Sequence, residues 1–251
     1  MYYPQLNYNV EQMTSIIKRQ IAAQVDVIIV QGNEFENYQN TLREAWNKGI
    51  QIVLVDTDIA DFIPHVYIGT DNYSAGQEMG RRLAELTGGQ ATVAVLSGQP
   101  GYKNLDDRYT GLTEISQTYP GIQFVRLEYD NFDSLTVLNK VEQIKSENPE
   151  IDTLVCIEGT GGQAIGNYST ESLKKYKYIL VFDYMQQTLN GLENGTINGV
   201  VAQEPYQMGY MAVQNIAEST EGGNNVSYST YTSIRWITKE NLDEQVPGYE
   251  E

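Results

Sequence analysis

The 251-residue chain contains one cysteine and one histidine. A lone cysteine excludes an intrachain disulfide framework. Cys156 sits in the apolar run Ile151-Asp152-Thr153-Leu154-Val155-Cys156-Ile157, which reads as the setting of a buried, inert thiol. A lone histidine means that any Ser/His/Asp triad or histidine-rich metal site would have to run through His65. That residue stands just ahead of the strand-like run Val66-Tyr67-Ile68, so a role in turn packing is expected rather than catalysis. Cations are scarce as well: 16 Lys and Arg face 33 Asp and Glu, for a net charge of −17. A field of that sign repels phosphate backbones and argues against a nucleic-acid partner. No stretch is apolar over enough residues to form a transmembrane helix, and Met1-Tyr2-Tyr3-Pro4 does not read as a targeting segment.

Short β-branched and aliphatic runs alternate with helical patterns. Val10, Met13, Ile16, Ile17 and Ile21 share one face of a helix over 10–23. A strand over 25–30, a helix over 38–48 that stops at Gly49, and a strand over 50–55 follow. The same logic predicts strands over 91–96, 122–127, 153–157, 178–182 and 199–202, and helices over 107–117, 134–146, 162–173, 185–194 and 206–218. Continuous apolar strands between helices indicate parallel sheets covered on both faces, an α/β fold. Gly222-Gly223-Asn224-Asn225 reads as a surface turn.

Polar side chains stand just beyond the strand ends: Gln31, Asp56, Ser97, Thr160, Asp183 and Gln203. Open α/β sheets bind ligands outside the carboxyl ends of their strands. Several acids and amides there suit a polyhydroxyl ligand, which needs many paired donors and acceptors. The chain has 19 Tyr and 5 Phe, and most of the tyrosines are read as ordinary surface residues. Phe132, Tyr184 and Tyr206 are singled out because they fall at strand-to-helix corners, where an aromatic face can pack on a sugar ring.

These stretches, in this order, resemble the type I periplasmic binding proteins, in particular the ribose-binding-like receptors of ABC transporters, whose fold the LacI-type repressor core shares. The matching stretches are 25–30, Gly49 to Asp56, Ile68-Gly69-Thr70-Asp71-Asn72-Tyr73-Ser74-Ala75-Gly76, Val181-Phe182-Asp183, Val201 to Gly209, and Ile237-Thr238-Lys239-Glu240-Asn241-Leu242. The resemblance implies two Rossmann-like lobes joined by a three-segment hinge near Thr70–Asn72, Gln203–Glu204 and Tyr231–Arg235. One lobe would hold 1–70 with 204–232, the other 71–203 with 233–251. It further implies a monomer that captures a small sugar or related metabolite in an interlobe cleft and delivers it to a membrane permease. Such a protein is extracytoplasmic, uses no cofactor and is not an enzyme.

By the same resemblance, Asp56 and Asp183 accept hydrogen bonds from sugar hydroxyls, and Gln203 contacts the ligand through its amide. Phe132 packs on the ring, Gln31 and Thr160 stand where the family often has Asn, and Tyr206 joins the site. Asp106 stands where ribose binders carry a ligand arginine, although Arg108 is retained nearby, and Thr57 stands where an arginine often follows the first aspartate. Two lost cations argue against ribose itself and fit another neutral sugar or an amine-bearing ligand. Measured against the family, the first lobe is expected to lack its opening βαβ unit, roughly 30 residues or more.

Rival readings rest on single features. Gly159-Thr160-Gly161-Gly162-Gln163-Ala164, with Asp183 ending the next strand, looks like a dinucleotide fingerprint for a nucleotide-cofactor enzyme. A LacI-type regulator core would need a DNA-binding segment, and a sensor ectodomain of a membrane kinase shares the fold. Asp56-Thr57-Asp58 with Asp61 resembles part of a calcium loop but lacks the turn Gly and the closing Glu, so no metal is expected.

Overall fold

The structure, a computed structural model, describes residues 9–168, 171–219 and 228–246. Met1–Pro4 and the Gly222–Asn225 turn lie outside the described residues. Elements are numbered along the chain. The chain divides into two units, each with its own sheet.

Unit 1 comprises 1–70, 102–104 and 204–232. Its four strands, β1 (Val27–Gln31), β2 (Gln51–Val55), β3 (Val66–Thr70) and β9 (Tyr228–Thr232), lie side by side in that order, all parallel. Successive side chains of a strand face opposite ways, and β2 shows the consequence. Ile52 and Leu54 join one core cluster with Ile17 and Ile21 of α1 (Val10–Ala22) and Tyr38 and Leu42 of α2 (Glu36–Asn47). Val53 points the other way, to Met208 and Ala212 of α9 (Pro205–Ser219). Asn9 caps α1, its side chain accepting from the Gln12 amide at 2.8 Å.

Unit 2 comprises 71–101, 105–203 and 233–251. Its six strands run in the order β10 (Arg235–Ile237), β8 (Gly199–Ala202), β7 (Tyr178–Phe182), β6 (Thr153–Cys156), β4 (Ala91–Ser97), β5 (Ile122–Tyr129). Five are parallel; β10 adds antiparallel at one edge, beside β8. One face is buried by α6 (Ser134–Glu147), α7 (Gly159–Asn167) and α8 (Gln186–Glu193), through Val137, Val141, Ile165 and Leu189 against Leu154, Val181 and Val200. On the other, α3 (Asn72–Thr87) packs over β7 and β8 and buries Met79 and Leu83. Asp71 caps α3 through the Ser74 amide, and Gly88 ends it in the left-handed region at φ +63°.

The alternating pattern read from the sequence is present, with differences in bounds and some further elements. The helix expected over 107–117 starts earlier and is broken in two, as α4 (Lys103–Thr113) and α5 (Ile115–Thr118). The helix expected over 162–173 begins at Gly159 and ends at Asn167. Helix α3 and strands β9 and β10 were not anticipated as elements. Among the described residues no helix is long and apolar enough to cross a membrane.

Candidate functional site

In unit 1, β1 and β2 end side by side, and their register pairs Gln31 with Val55. Gln31 Nε2 therefore meets the next residue of β2's chain, donating to Asp56 Oδ2 at 2.6 Å and lying 3.3 Å from Thr57 Oγ1. Thr57 is buried, and its hydroxyl donates to the same Asp56 oxygen at 3.1 Å. Asp56 leaves the strand in the left-handed region, φ +63°, which Asp tolerates better than most residues. Its amide still donates to the Ile68 carbonyl at 3.1 Å, so the turn is tied to β3.

Unit 2 repeats the device. Asp183 follows β7 at φ +60°, and its amide donates to the Val201 carbonyl at 2.9 Å. Gln203, just beyond β8, donates Nε2 to both carboxylate oxygens, at 2.9 and 3.1 Å. Gln203 is buried, and its Oε1 has no hydrogen-bond partner among the described residues. A buried acceptor without a donor is costly. In the same unit, Arg108 is almost fully buried. Its Nε donates to Asn72 Oδ1 at 2.8 Å, its Nη1 to the Ile157 carbonyl at 3.0 Å, and its guanidinium lies 4.6 Å from the Phe182 ring centroid. Its Nη2 is likewise buried and unpaired among the described residues.

Phe132 and Thr160 also belong to unit 2. Phe132 is half-buried in a turn after β5, at φ +57°. Thr160 lies in the first turn of α7, its amide donating to Glu158 Oε2 at 2.7 Å. The other two positions lie differently. Asp106 is exposed on the first turn of α4, its carbonyl accepting from the Thr110 hydroxyl. Tyr206, in the first turn of α9 in unit 1, is 81% exposed. Of the corner aromatics, Tyr184 accepts a hydrogen bond from Arg235 Nη2 at 3.0 Å and lies under its guanidinium.

The Gly-rich segment after β6 has a structural use that removes the dinucleotide reading. A pyrophosphate would need the free amides at the start of α7. Both Thr160 and Gly161 amides are taken by Glu158, at 2.7 Å each. The glycines serve packing: a Cβ on Gly161 would lie 2.5 Å from the Cys156 Cβ, and one on Gly166 would lie 1.8 Å from the Gln187 carbonyl oxygen. Two acids of the calcium-like loop, Asp56 and Asp58, are also engaged. Asp58 Oδ1 contacts His65 Nε2 at 2.8 Å, and no cluster of three metal-ligating side chains occurs among the described residues. Cys156 is fully buried, and burial raises its pKa well above the usual thiol range. Asp130 and Glu158 were not singled out in the sequence. Each becomes notable only through burial.

Two α/β units, each built on its own largely parallel sheet, are the fold of the periplasmic binding proteins. The chain belongs to the periplasmic binding protein domain family, which it matches over residues 3–224. It is similar to the crystal structure of a glucose-galactose binding protein from Geobacillus stearothermophilus: TM-score 0.87, 32% identity, covering 93% of this chain and 84% of that one. An ABC-transporter solute-binding protein from Burkholderia graminis, in complex with D-arabinose, superposes with TM-score 0.87 at 28% identity, covering 96% of this chain and 84% of that one. The D-allose-binding periplasmic protein of Escherichia coli is 23% identical over 188 residues, which is 71% of this chain and 60% of that protein.

Proposed function

We propose that this chain is the solute-capturing part of an extracytoplasmic carbohydrate receptor, which binds a small sugar without transforming it and hands it to the membrane permease of an ABC transporter. The observation that carries the reading is the duplicated pair. Each unit ends two adjacent strands in a left-handed aspartate whose carboxylate accepts from a glutamine amide, Gln31 with Asp56 and Gln203 with Asp183. Each carboxylate accepts from a fixed glutamine amide, and carboxylate oxygens can accept more than one hydrogen bond, as Asp56 Oδ2 does from Gln31 and Thr57; sugar hydroxyls are donors that also need acceptors. Arg108 Nη2 offers an unpaired donor and Gln203 Oε1 an unpaired acceptor in the same unit as Asp183. Phe132 supplies the apolar ring.

Relatives named for glucose and galactose, arabinose and allose define the panel. Calorimetry of the purified protein against those sugars, xylose, ribose and xylitol should show saturable binding of at least one, with ribose among the weaker. No heat from any sugar or polyol, together with no thermal stabilisation, overturns the carbohydrate assignment.

A further inference from the structure

We propose that Asp130 and Glu158 share one proton at the carboxyl ends of β5 and β6, and that losing it unseats both Phe132 and the first turn of α7, so that ligand is held in acid and released as the pH rises. Only the final clause, on ligand, rests on the receptor reading above.

The argument begins with hydrogen bonds. Asp130 is 0% exposed and Glu158 5%. Both Glu158 oxygens act as acceptors, Oε1 from the Gly161 amide and Oε2 from the Thr160 amide, each at 2.7 Å. That is the role of an ionised carboxylate capping a helix. Asp130 Oδ1 accepts from the Phe132 amide at 2.8 Å. Its Oδ2 is buried, and no donor faces it among the described residues. Two ionised carboxyls buried together would leave that oxygen charged and uncompensated. If Oδ2 carries the proton, it becomes a donor, and Glu158, the acidic side chain that acts most on Asp130, is the acceptor assigned to it.

The charges around the pair agree. Burial, and then the negative charge of Glu158, push the Asp130 carboxyl up to about 8 against the opposing pull of the Phe132 amide. Asp133, which caps α6, adds to the rise. From β6, the Cys156 thiol is pushed up by burial first and then by Glu158 and Asp130. Glu158 and Asp133, the charged groups that raise Asp130, are both acidic.

Geometry joins the proton to the site. Asn131 and Phe132 both sit in the left-handed region, at φ +58° and +57°, an uncommon state for an aromatic residue. The turn is held by four bonds: Asp130 amide to the Ser97 carbonyl, Asn131 amide to the Gly98 carbonyl, Phe132 amide to the Asp130 carboxyl, and Asp133 amide to the Asp130 carbonyl. The Phe132 ring then lies against Gly98, where an added Cβ would be 2.0 Å from a ring carbon. A second ionised carboxylate would repel Glu158. One of the two must rotate or admit water, and rotation of either breaks an amide bond that seats Phe132 or starts α7.

The test is a pH titration of the sugar-free protein followed by amide NMR, from about pH 5.5 to about pH 9.5. The Phe132, Thr160 and Gly161 amides should titrate together with a midpoint near 8. Asp130→Asn keeps the shape and supplies a permanent neutral donor, so the common step should vanish with the amides near their acid-limit shifts. Glu158→Gln removes the negative neighbour and should move the midpoint down. Sugar affinity in the unsubstituted protein should fall roughly fivefold across the range and be flat in Asp130→Asn. Amides that do not titrate there, or an Asn variant whose amides match the alkaline state, overturn the shared proton. A common titration with pH-independent sugar affinity overturns the coupling to release. A common titration with no sugar bound at any pH leaves the shared proton standing and defeats the receptor reading.

Discussion

Asp56 and Asp183 are placed by backbone conformation before any ligand arrives. Each leaves its strand at positive φ while its amide stays bonded to the neighbouring chain, so the carboxylate is held at the strand end by the sheet itself. Asp183→Ala removes an acceptor and also leaves Gln203 Nε2 without its partner. The expected cost in ligand binding is about 1–3 kcal/mol, roughly 5- to 150-fold in Kd, and calorimetry with the best sugar of the panel measures it. A change under about twofold would take Asp183 out of the site. These two aspartates and Gln203 were legible in the sequence because they directly follow apolar runs. Asp130 and Glu158 were not, since their role comes from burial and from partners elsewhere in the unit. His65 was legible only as a turn residue. Its Nδ1 lies 2.6 Å from the Ile63 carbonyl and its Nε2 2.8 Å from Asp58 Oδ1. Both ring nitrogens face acceptors, an arrangement that favours the protonated ring. Burial opposes that charge, but the Asp58 and Ile63 hydrogen bonds outweigh it and raise the pKa.

Among the elements, those with a strong apolar period were readable: β2, β7 and α1 fall within a residue or two of their expected bounds. Strand β9 was missed because Tyr-Ser-Thr-Tyr-Thr carries no apolar run; its pairing with β3 makes it a strand. Helix α3 was missed because Gly76 and Gly80 dilute its buried face. In α7, glycine marks contact and not a phosphate loop. Gly166→Ala would drive a methyl group into the backbone of α8 and should destabilise unit 2 by about 1–3 kcal/mol, read as a lower urea midpoint. An unchanged midpoint would show that α7 and α8 part easily. Helix α9 shows the opposite case. Tyr206, Tyr210 and Val213 are 81%, 60% and 60% exposed on a helix whose Met208 and Ala212 are buried. Replacing Tyr210 and Val213 by Lys should change stability by no more than about 0.5 kcal/mol each while lowering dye binding by apolar surface. A large loss of stability would mean that this stripe is covered in solution.

At the scale of the whole molecule, the sequence foretold two α/β cores but not how their charge would respond to pH. The net charge of −17 already favours conditions that add protons. Each unit also contains a group whose folded-state pKa is raised, and such a group binds more protons folded than unfolded. Its stabilisation is therefore complete below the unfolded pKa and is lost as the pH rises through the folded one. For Asp130 in unit 2 that window runs from 3.8 to about 8; for His65 in unit 1 it begins at 6.5 and extends upward. Both slopes have the same sign, so the protein should be more stable at about pH 6 than at about pH 9, the reverse of a chain dominated by salt-bridged carboxylates. Denaturant titrations across that range test it. Asp130→Asn should flatten the slope below about pH 8, and His65→Gln should remove about 1 kcal/mol near pH 6 and flatten the slope above about 6.5. Because the two groups belong to separate cores, the double variant should equal the sum of the singles within about 0.5 kcal/mol. A stability that rises from pH 6 to 9, or that is unmoved by either substitution, would place the proton elsewhere. A non-additive pair would show that the two cores do not respond to pH independently.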